Sequence, residues 1–226
     1  MSDEHTNRLR KPRLFVTDFD GTVTFQDSCN LMIQTCARNG WQELNQQWEK
    51  GELTTKDVAR ETFKLFDCSW EDVSRAISNI QIDPDFKKFV DIINREGDQL
   101  YIVSDGYDLL IKEILGREGL SHIPFYANKL LVNNRNFSMT TPYSNDNCHQ
   151  CGSCKTAIIR SLISNFKTVP KTIYVGDGYS DRCPIEIADL VFAKEKLYQI
   201  AKSKGIEANK IKSFQDVINK LDIKTE

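Results

Sequence analysis

Residues 14–27 read LFVTDFDGTVTFQD, and the reading of this stretch decides the rest. Leu14, Phe15 and Val16 form an apolar run of the kind a buried strand carries. The run leads into two carboxylates, Asp18 and Asp20, followed at once by Gly21, Thr22 and Thr24. Like charges this close raise each other's pKa unless a cation compensates them. A buried strand that ends in two acids therefore calls for a partner of opposite sign.

Outward from that stretch, the chain alternates. A helix begins at Asp83-Pro84 and stops at Gly97. QLYIVSD is a strand ending at Ser104, and YDLLIKEILG is an amphipathic helix. FYANKLLV and FSMTT make a strand pair around a polar turn, and KTAIIRSLISNF is a helix. KTIYVGDG is a strand running into a glycine turn, SDRCPIEIAD reads as a helix, and LVFA is a short strand before two final helical patterns. Strand and helix in alternation predict an α/β fold, a doubly wound parallel sheet with helices on both faces. Residues 28–81 break the pattern: they are helical almost throughout, with capping signals at Thr54/Asp57 and Ser69/Asp72. The expected organisation is a Rossmann-like core from 1–27 and 82–226, with 28–81 as a small inserted α-helical cap.

Composition narrows the function. The 226 residues carry 30 basic and 32 acidic side chains, a formal net charge of -2, with 40% hydrophobic residues. That balance argues against a nucleic-acid partner, which calls for a basic excess. No apolar stretch is long enough to span a bilayer, and no apolar segment follows the polar first dozen residues, so a cytoplasmic location is expected. Seven cysteines are an odd count, and without a secretion signal a disulfide scaffold is not expected. A homodimer is left open.

In doubly wound sheets, ligands bind at the carboxyl ends of the strands. Three predicted strands end there in groups capable of chemistry: Asp18, Ser104 and Asp177, with Asp181 four residues further on. Four converging carboxylates need a divalent cation, and Mg²⁺ prefers oxygen donors while leaving positions for phosphate. A carboxylate beside Mg²⁺ can attack phosphorus, and a second acid can pass protons to and from the leaving oxygen and water. Gly21 leaves room for a phosphate near the backbone, Ser104 supplies a hydroxyl and Lys155 a cation. Taken singly, DFDG is an ordinary turn, Ser104 a turn residue and Lys155 a solvated lysine; the ordered set carries the reading.

That set, DFDGTVT, IVSDG, Lys155 and GDGYSD, closely resembles the four motifs of the haloacid dehalogenase superfamily, in the branch with a helical cap between the first two motifs, as in phosphoserine phosphatase. The resemblance implies a phosphomonoesterase acting on a small phosphorylated metabolite. It implies Asp18 as nucleophile, Asp20 as general acid/base, and Ser104 and Lys155 on the phosphate. Mg²⁺ would lie on Asp18, Asp177 and the main-chain carbonyl of Asp20, with Asp181 supporting the metal site. In the cap, Asp27 and Arg60 stand where phosphoserine phosphatases read the amine and carboxylate of their substrate; both are equally readable as ordinary helix charges. Phe25, Phe63, Phe66 and Trp70 would line a pocket or fill the core. Asp105 departs from the Ser-Gly-Gly of phosphoserine phosphatases and puts a side chain beside the phosphate site.

CHQCGSCK places Cys148, Cys151 and Cys154 three apart, ending beside Lys155. The spacing suits half a zinc site, which His149 or Cys183 would complete, or a cluster of thiols packing a turn. This run is similar to that of the methionine-salvage phosphatases acting on 2-hydroxy-3-keto-5-methylthiopentenyl-1-phosphate, and to phosphocholine and phosphoethanolamine phosphatases. The leading expectation is the salvage ester, with phosphoserine, phosphocholine, phosphoethanolamine and pyridoxal phosphate as alternatives. Two other classes fit some of the residues: a phospho-aspartate receiver domain, and a zinc-binding interaction module.

Overall fold

The computed structural model describes residues 10–145, 147–148 and 150–221. Strands β1 (Arg13–Thr17), β2 (Gln99–Tyr107), β3 (Phe125–Asn133), β4 (Asn136–Thr140), β5 (Lys171–Gly176), β6 (Leu190–Ala193) and β7 (Asn209–Lys210) form one sheet in the order β4-β3-β2-β1-β5-β6-β7. All neighbours are parallel except the β3–β4 hairpin, whose turn holds Asn134 at φ 56°. The chain steps from β1 to β2 on one side and reaches β5 on the other. The strand order therefore reverses at β1, the place where open α/β sheets bind ligands.

The pleat of β1 sorts its side chains between two apolar layers. Phe15 lies with Phe89, Ile102 and Phe214 on one face; Leu14 and Val16 lie with Ile159, Tyr174 and Leu197 on the other. Helix α5 (Phe86–Arg95) covers the first face through buried Phe86, Phe89, Val90 and Ile93, a stripe at helical spacing. Helices α6 (Asp108–Arg117), α7 (Lys155–Ser164), α8 (Glu195–Ser203) and α9 (Phe214–Lys220) complete the layers. The expected doubly wound α/β fold is what forms.

Between β1 and α5 come four helices, α1 (Ser28–Cys36), α2 (Trp41–Glu49), α3 (Thr55–Phe63) and α4 (Trp70–Ile77). Thr54 and Ser69 cap α3 and α4 as their sequence signals predict, with a full capping box at Ser69/Asp72. The chain leaves and re-enters the core through one antiparallel bridge, Thr24 with Ile82. The helical insert has no separate interior. Met32, Val73, Ile77 and Ile80 belong to the same buried cluster as Phe15 and Phe89.

Three expectations need correction. SDRCPIEIAD is not an α-helix but two 3₁₀ turns, Tyr179–Asp181 and Pro184–Glu186. Pro184 has no N–H to give to the Ser180 carbonyl and its ring would strike it. Strand β2 runs three residues past Ser104, and its pairing with β3 shifts between Val103 and Tyr107. That irregularity takes Ser104 to Gly106 out of the regular β2–β3 ladder at the carboxyl end of the strand. A disulfide joins Cys36 and Cys68, where no cystine was expected. The 32-residue separation hid a contact that the backbone makes anyway: Asp67 N donates to Cys36 O at 2.9 Å and Arg38 N to Leu65 O at 2.9 Å.

Candidate active site

Asp18 is the first residue beyond β1. Its N–H donates to Val175 O at 2.9 Å, fixing it at the carboxyl edge, and its side chain is buried. Lys155 opens α7 and is also buried. Its Nζ lies 2.6 Å from Asp18 Oδ1, 2.6 Å from Asp181 Oδ1 and 3.2 Å from Ser180 Oγ. Burial lowers the Lys155 pKa, but the two carboxylates outweigh it and hold the ammonium above the ordinary lysine range. Both oxygens of Asp181 are committed. Oδ1 also accepts from the Tyr174 hydroxyl at 2.6 Å, and Oδ2 accepts from Asp177 N at 3.0 Å and Gly178 N at 3.1 Å. Asp181 thus folds the GDGYSD turn and anchors the lysine.

Asp20 lies on the cavity floor, where Oδ1 accepts from Ser28 N at 2.7 Å. Desolvation and the nearby Asp27 charge push its pKa up to about 7, so the carboxyl can carry a proton near neutrality. Two glycines leave space for these acids. A Cβ on Gly21, at φ +75°, would stand 2.4 Å from Asp177 Oδ2; one on Gly106 would stand 2.8 Å from Asp20 Oδ2 and 3.1 Å from Ser104 Oγ. Gly21 therefore accommodates Asp177. The Ser104 hydroxyl accepts from Gly106 N at 2.9 Å. Lys194, just past β6, donates to the carbonyls of Gly21 and Thr22 at 2.8 and 3.0 Å and clamps the first loop.

Ligand atoms of Asp18, Asp177 and Asp181 lie within 4.8 Å of one another. Burial, joined by Asp181 and Asp177 and only partly offset by Lys155, holds Asp18 well above the usual carboxylate range in the bare protein. Among the described residues Asp177 forms no ion pair; its Oδ1 accepts from Thr22 Oγ1 at 3.2 Å. Hard oxygen donors with uncompensated negative charge fit a divalent cation of the Mg²⁺ type.

Above this floor opens a cavity of about 680 Å³. Asp18, Asp20, Ser104 and Asp177 line its base; Trp41, Trp48, Val58 and Phe63 of the helical insert line its upper part. Helix α3 faces it with Thr55, Val58, Ala59 and Thr62, a single stripe at i, i+3, i+4, i+7. Asp27 also lines the cavity while capping α1, its Oδ1 accepting from Asn30 N at 2.8 Å.

The family model described as "Putative Phosphatase" matches residues 13–216, which takes in every element around this cavity. The chain belongs to this phosphatase family. The fold is of the haloacid dehalogenase type that the motifs imply, and the chain is a phosphoric monoester hydrolase. A 2-hydroxy-3-keto-5-methylthiopentenyl-1-phosphate phosphatase of Brevibacillus brevis is 28% identical over 93% of this chain and 95% of its own. One of Bacillus pumilus is 26% identical over 95% of this chain and 92% of its own. The solved structure of a phospho-aspartyl intermediate analogue of phosphoserine phosphatase superposes with a TM-score of 0.71 at 19% identity, covering 94% of this chain and 99% of that one. The last shows a shared fold.

One expected site residue of the phosphatase lies elsewhere. Arg60 does not line the cavity. Its side chain is 59% exposed and pairs with Asp57 at 3.0 Å and Glu61 at 3.1 Å on the outer side of α3. It sits one residue, about 100° of helix, past the stripe that faces inward. Arg60→Ala is expected to leave KM and kcat within about twofold, as exposed ion pairs contribute little; steady-state kinetics would show it.

Cys148, Cys151 and Cys154 are free thiols. Among the described residues none of them belongs to a three-ligand cluster, and His149 lies outside those residues. Burial pushes the Cys151 thiol up to about 12, so it stays protonated. The described part of the loop is closely packed: Cys154 N donates to Tyr143 O at 2.8 Å as α7 begins, and a Cβ on Gly152 would strike Asn128. Of the aromatics, Phe63 lines the cavity, Phe66 and Trp70 pack on the core cluster, and Phe25 is exposed. Among the described residues no helix is long and apolar enough to cross a membrane.

Sequence reasoning missed Tyr174, Lys194 and Gly106. Lys194 had a signal, since it ends a strand as Asp18 and Asp177 do. Tyr174 had none, because an aromatic in mid-strand reads as core.

Proposed function

We propose that the phosphatase hydrolyses a small-metabolite phosphomonoester through an aspartyl-phosphate on Asp18, with 2-hydroxy-3-keto-5-methylthiopentenyl-1-phosphate as substrate. The observation that carries the chemistry is a buried carboxylate, Asp18, held by Lys155, with a second acid, Asp20, on the floor of the same cavity. An Asp18 oxygen attacks phosphorus as the ester P–O bond breaks, and Asp20 gives its proton to the departing alcohol oxygen. Asp20 then takes a proton from water as that water's oxygen attacks the phosphoryl group, releasing phosphate and restoring Asp18. Ser104 and Lys155 hold and neutralise phosphoryl oxygens. Asp18, Asp177 and the Asp20 carbonyl would hold Mg²⁺, which supplies positive charge against the phosphate. Residues 28–81 serve as the cap that encloses the leaving group.

The substrate choice rests on the relatives' names and on the upper cavity. Its lining mixes Ile33, Trp41, Trp48, Val58 and Phe63 with Asn30, Asn45 and Glu49, and among the described residues Lys196 is the one basic side chain that lines it. Among the described residues a phosphoserine carboxylate would meet no arginine there. With Mg²⁺, a panel of the salvage ester, phosphoserine, phosphocholine, phosphoethanolamine and pyridoxal phosphate should show the first preferred by at least about tenfold in kcat/KM, roughly one good contact. EDTA should bring turnover to background and added Mg²⁺ restore it. Preference for phosphoserine would overturn the substrate assignment; no hydrolysis of any ester would overturn the reaction.

A further inference from the structure

The family reading gives Asp105 no task, yet its carboxylate is among the most heavily bonded in the molecule. Oδ1 accepts from Ser153 N, in the cysteine-rich loop, at 2.8 Å and from Asn128 Nδ2, on β3, at 3.1 Å. Oδ2 accepts from the hydroxyl of Thr55, the first residue of α3, at 3.0 Å. Thr55 in turn accepts from Trp48 Nε1 at 3.1 Å, and the Trp48 ring meets the Tyr179 ring edge-on with centroids 6.5 Å apart. The chain of contacts runs from β3, over the cavity, and back to the core beside Asp177. A second strap lies parallel to it: Thr55 N donates to Gln150 O at 3.0 Å, and Gln150 Nε2 donates to Leu53 O at 3.0 Å. The cysteine-rich loop thus clips directly onto the start of α3.

We propose that Asp105 is a positioning residue, a latch that fastens the α2–α3 half of the cap to the core and holds Trp48 as a wall of the cavity. The chemistry of the contact supports the role. A carboxylate accepting from a hydroxyl and two N–H groups makes stronger bonds than a neutral acceptor, and it sits one residue from Ser104. Closure of the cap and geometry of the phosphate pocket therefore share one turn of backbone. The latch also accounts for the side chain that replaces glycine after Ser104, and for Gly152, which lets the loop close over Asn128. The role in turnover rests on the phosphatase reading; the latch itself does not.

Hydrogen exchange read by mass spectrometry on the full chain separates the two. In Thr55→Val, which keeps the shape and loses both hydroxyl bonds, amides of residues 50–58 should exchange about tenfold faster, the effect of losing one charge-assisted bond. Exchange in β1 should not change, and Thr55→Ser should restore protection. Asp105→Ala should reproduce the Thr55→Val pattern. With p-nitrophenyl phosphate and Mg²⁺, Thr55→Val should raise KM more than it lowers kcat. Unchanged exchange at 50–58 in both Thr55→Val and Asp105→Ala would overturn the latch, whatever the enzyme's substrate. Faster exchange without a shift in KM would confine the latch to the fold and overturn its part in turnover.

Discussion

Asp18→Asn is expected to lower turnover by at least about 10⁴-fold, the scale of losing a nucleophile, while leaving the protein as stable as before or slightly more so. The amide oxygen keeps the contact to Lys155 but cannot displace an alcohol from phosphorus. Stability does not suffer because the wild-type carboxylate is an electrostatic burden in the bare protein: burial and the charges of Asp181 and Asp177 oppose its ionisation, and Lys155 offsets only part of that. Activity with p-nitrophenyl phosphate, a urea melt and a mass spectrum of acid-quenched enzyme would read the result. The wild type should carry a phosphoryl adduct at steady state and the variant none. Turnover within tenfold of wild type would remove Asp18 from the chemistry.

Lys155→Met is expected to damage both stability and activity. The ammonium sits between two carboxylates whose side chains are 7% and 0% exposed, and it neutralises charge that water cannot reach. Removing one partner of a buried pair costs roughly 3–5 kcal/mol because the other is stranded. Here two are stranded, and one of them, Asp181, also folds the turn that presents Asp177. In a chain of this size the loss corresponds to a Tm lower by about 10 °C. Activity should fall by a further 10²–10³-fold, roughly the effect of deleting one group that stabilises developing charge. Adding Mg²⁺ should return part of the stability, since a divalent ion counters the same carboxylates. A melt superimposable on wild type would mean that the buried pairing contributes nothing to the fold.

The sheet and the floor of the site were legible because both follow from strand ends. Asp18, Ser104 and Asp177 stand where apolar runs stop, and parallel strands bring such ends to one edge. What the site residues do with their second oxygen was not legible. That Asp181 bonds Tyr174 and two backbone amides, or that Gly21 yields space to Asp177, depends on contacts between segments far apart in the chain. In the insert, helix starts were readable from Thr54 and Ser69. The face of α3 that turns inward was also written in the order Thr55, Val58, Ala59, Thr62; Arg60 drew attention by resemblance and stands off that stripe. The helix expected after Gly178 failed at Pro184, a residue whose backbone consequences outrank the surrounding pattern.

The insert divides its labour between two halves. Helices α1 and α4 bury Met32, Cys36, Val73 and Ile77 in the cluster beneath the sheet, whereas α2 buries no residue and α3 only Ala59 and Thr62. Replacing the whole segment with one from a relative would tear open the foundation of the protein. New selectivity is therefore to be sought by point changes on α2 and the inner side of α3, where the wall can be redrawn while the roots stay in place.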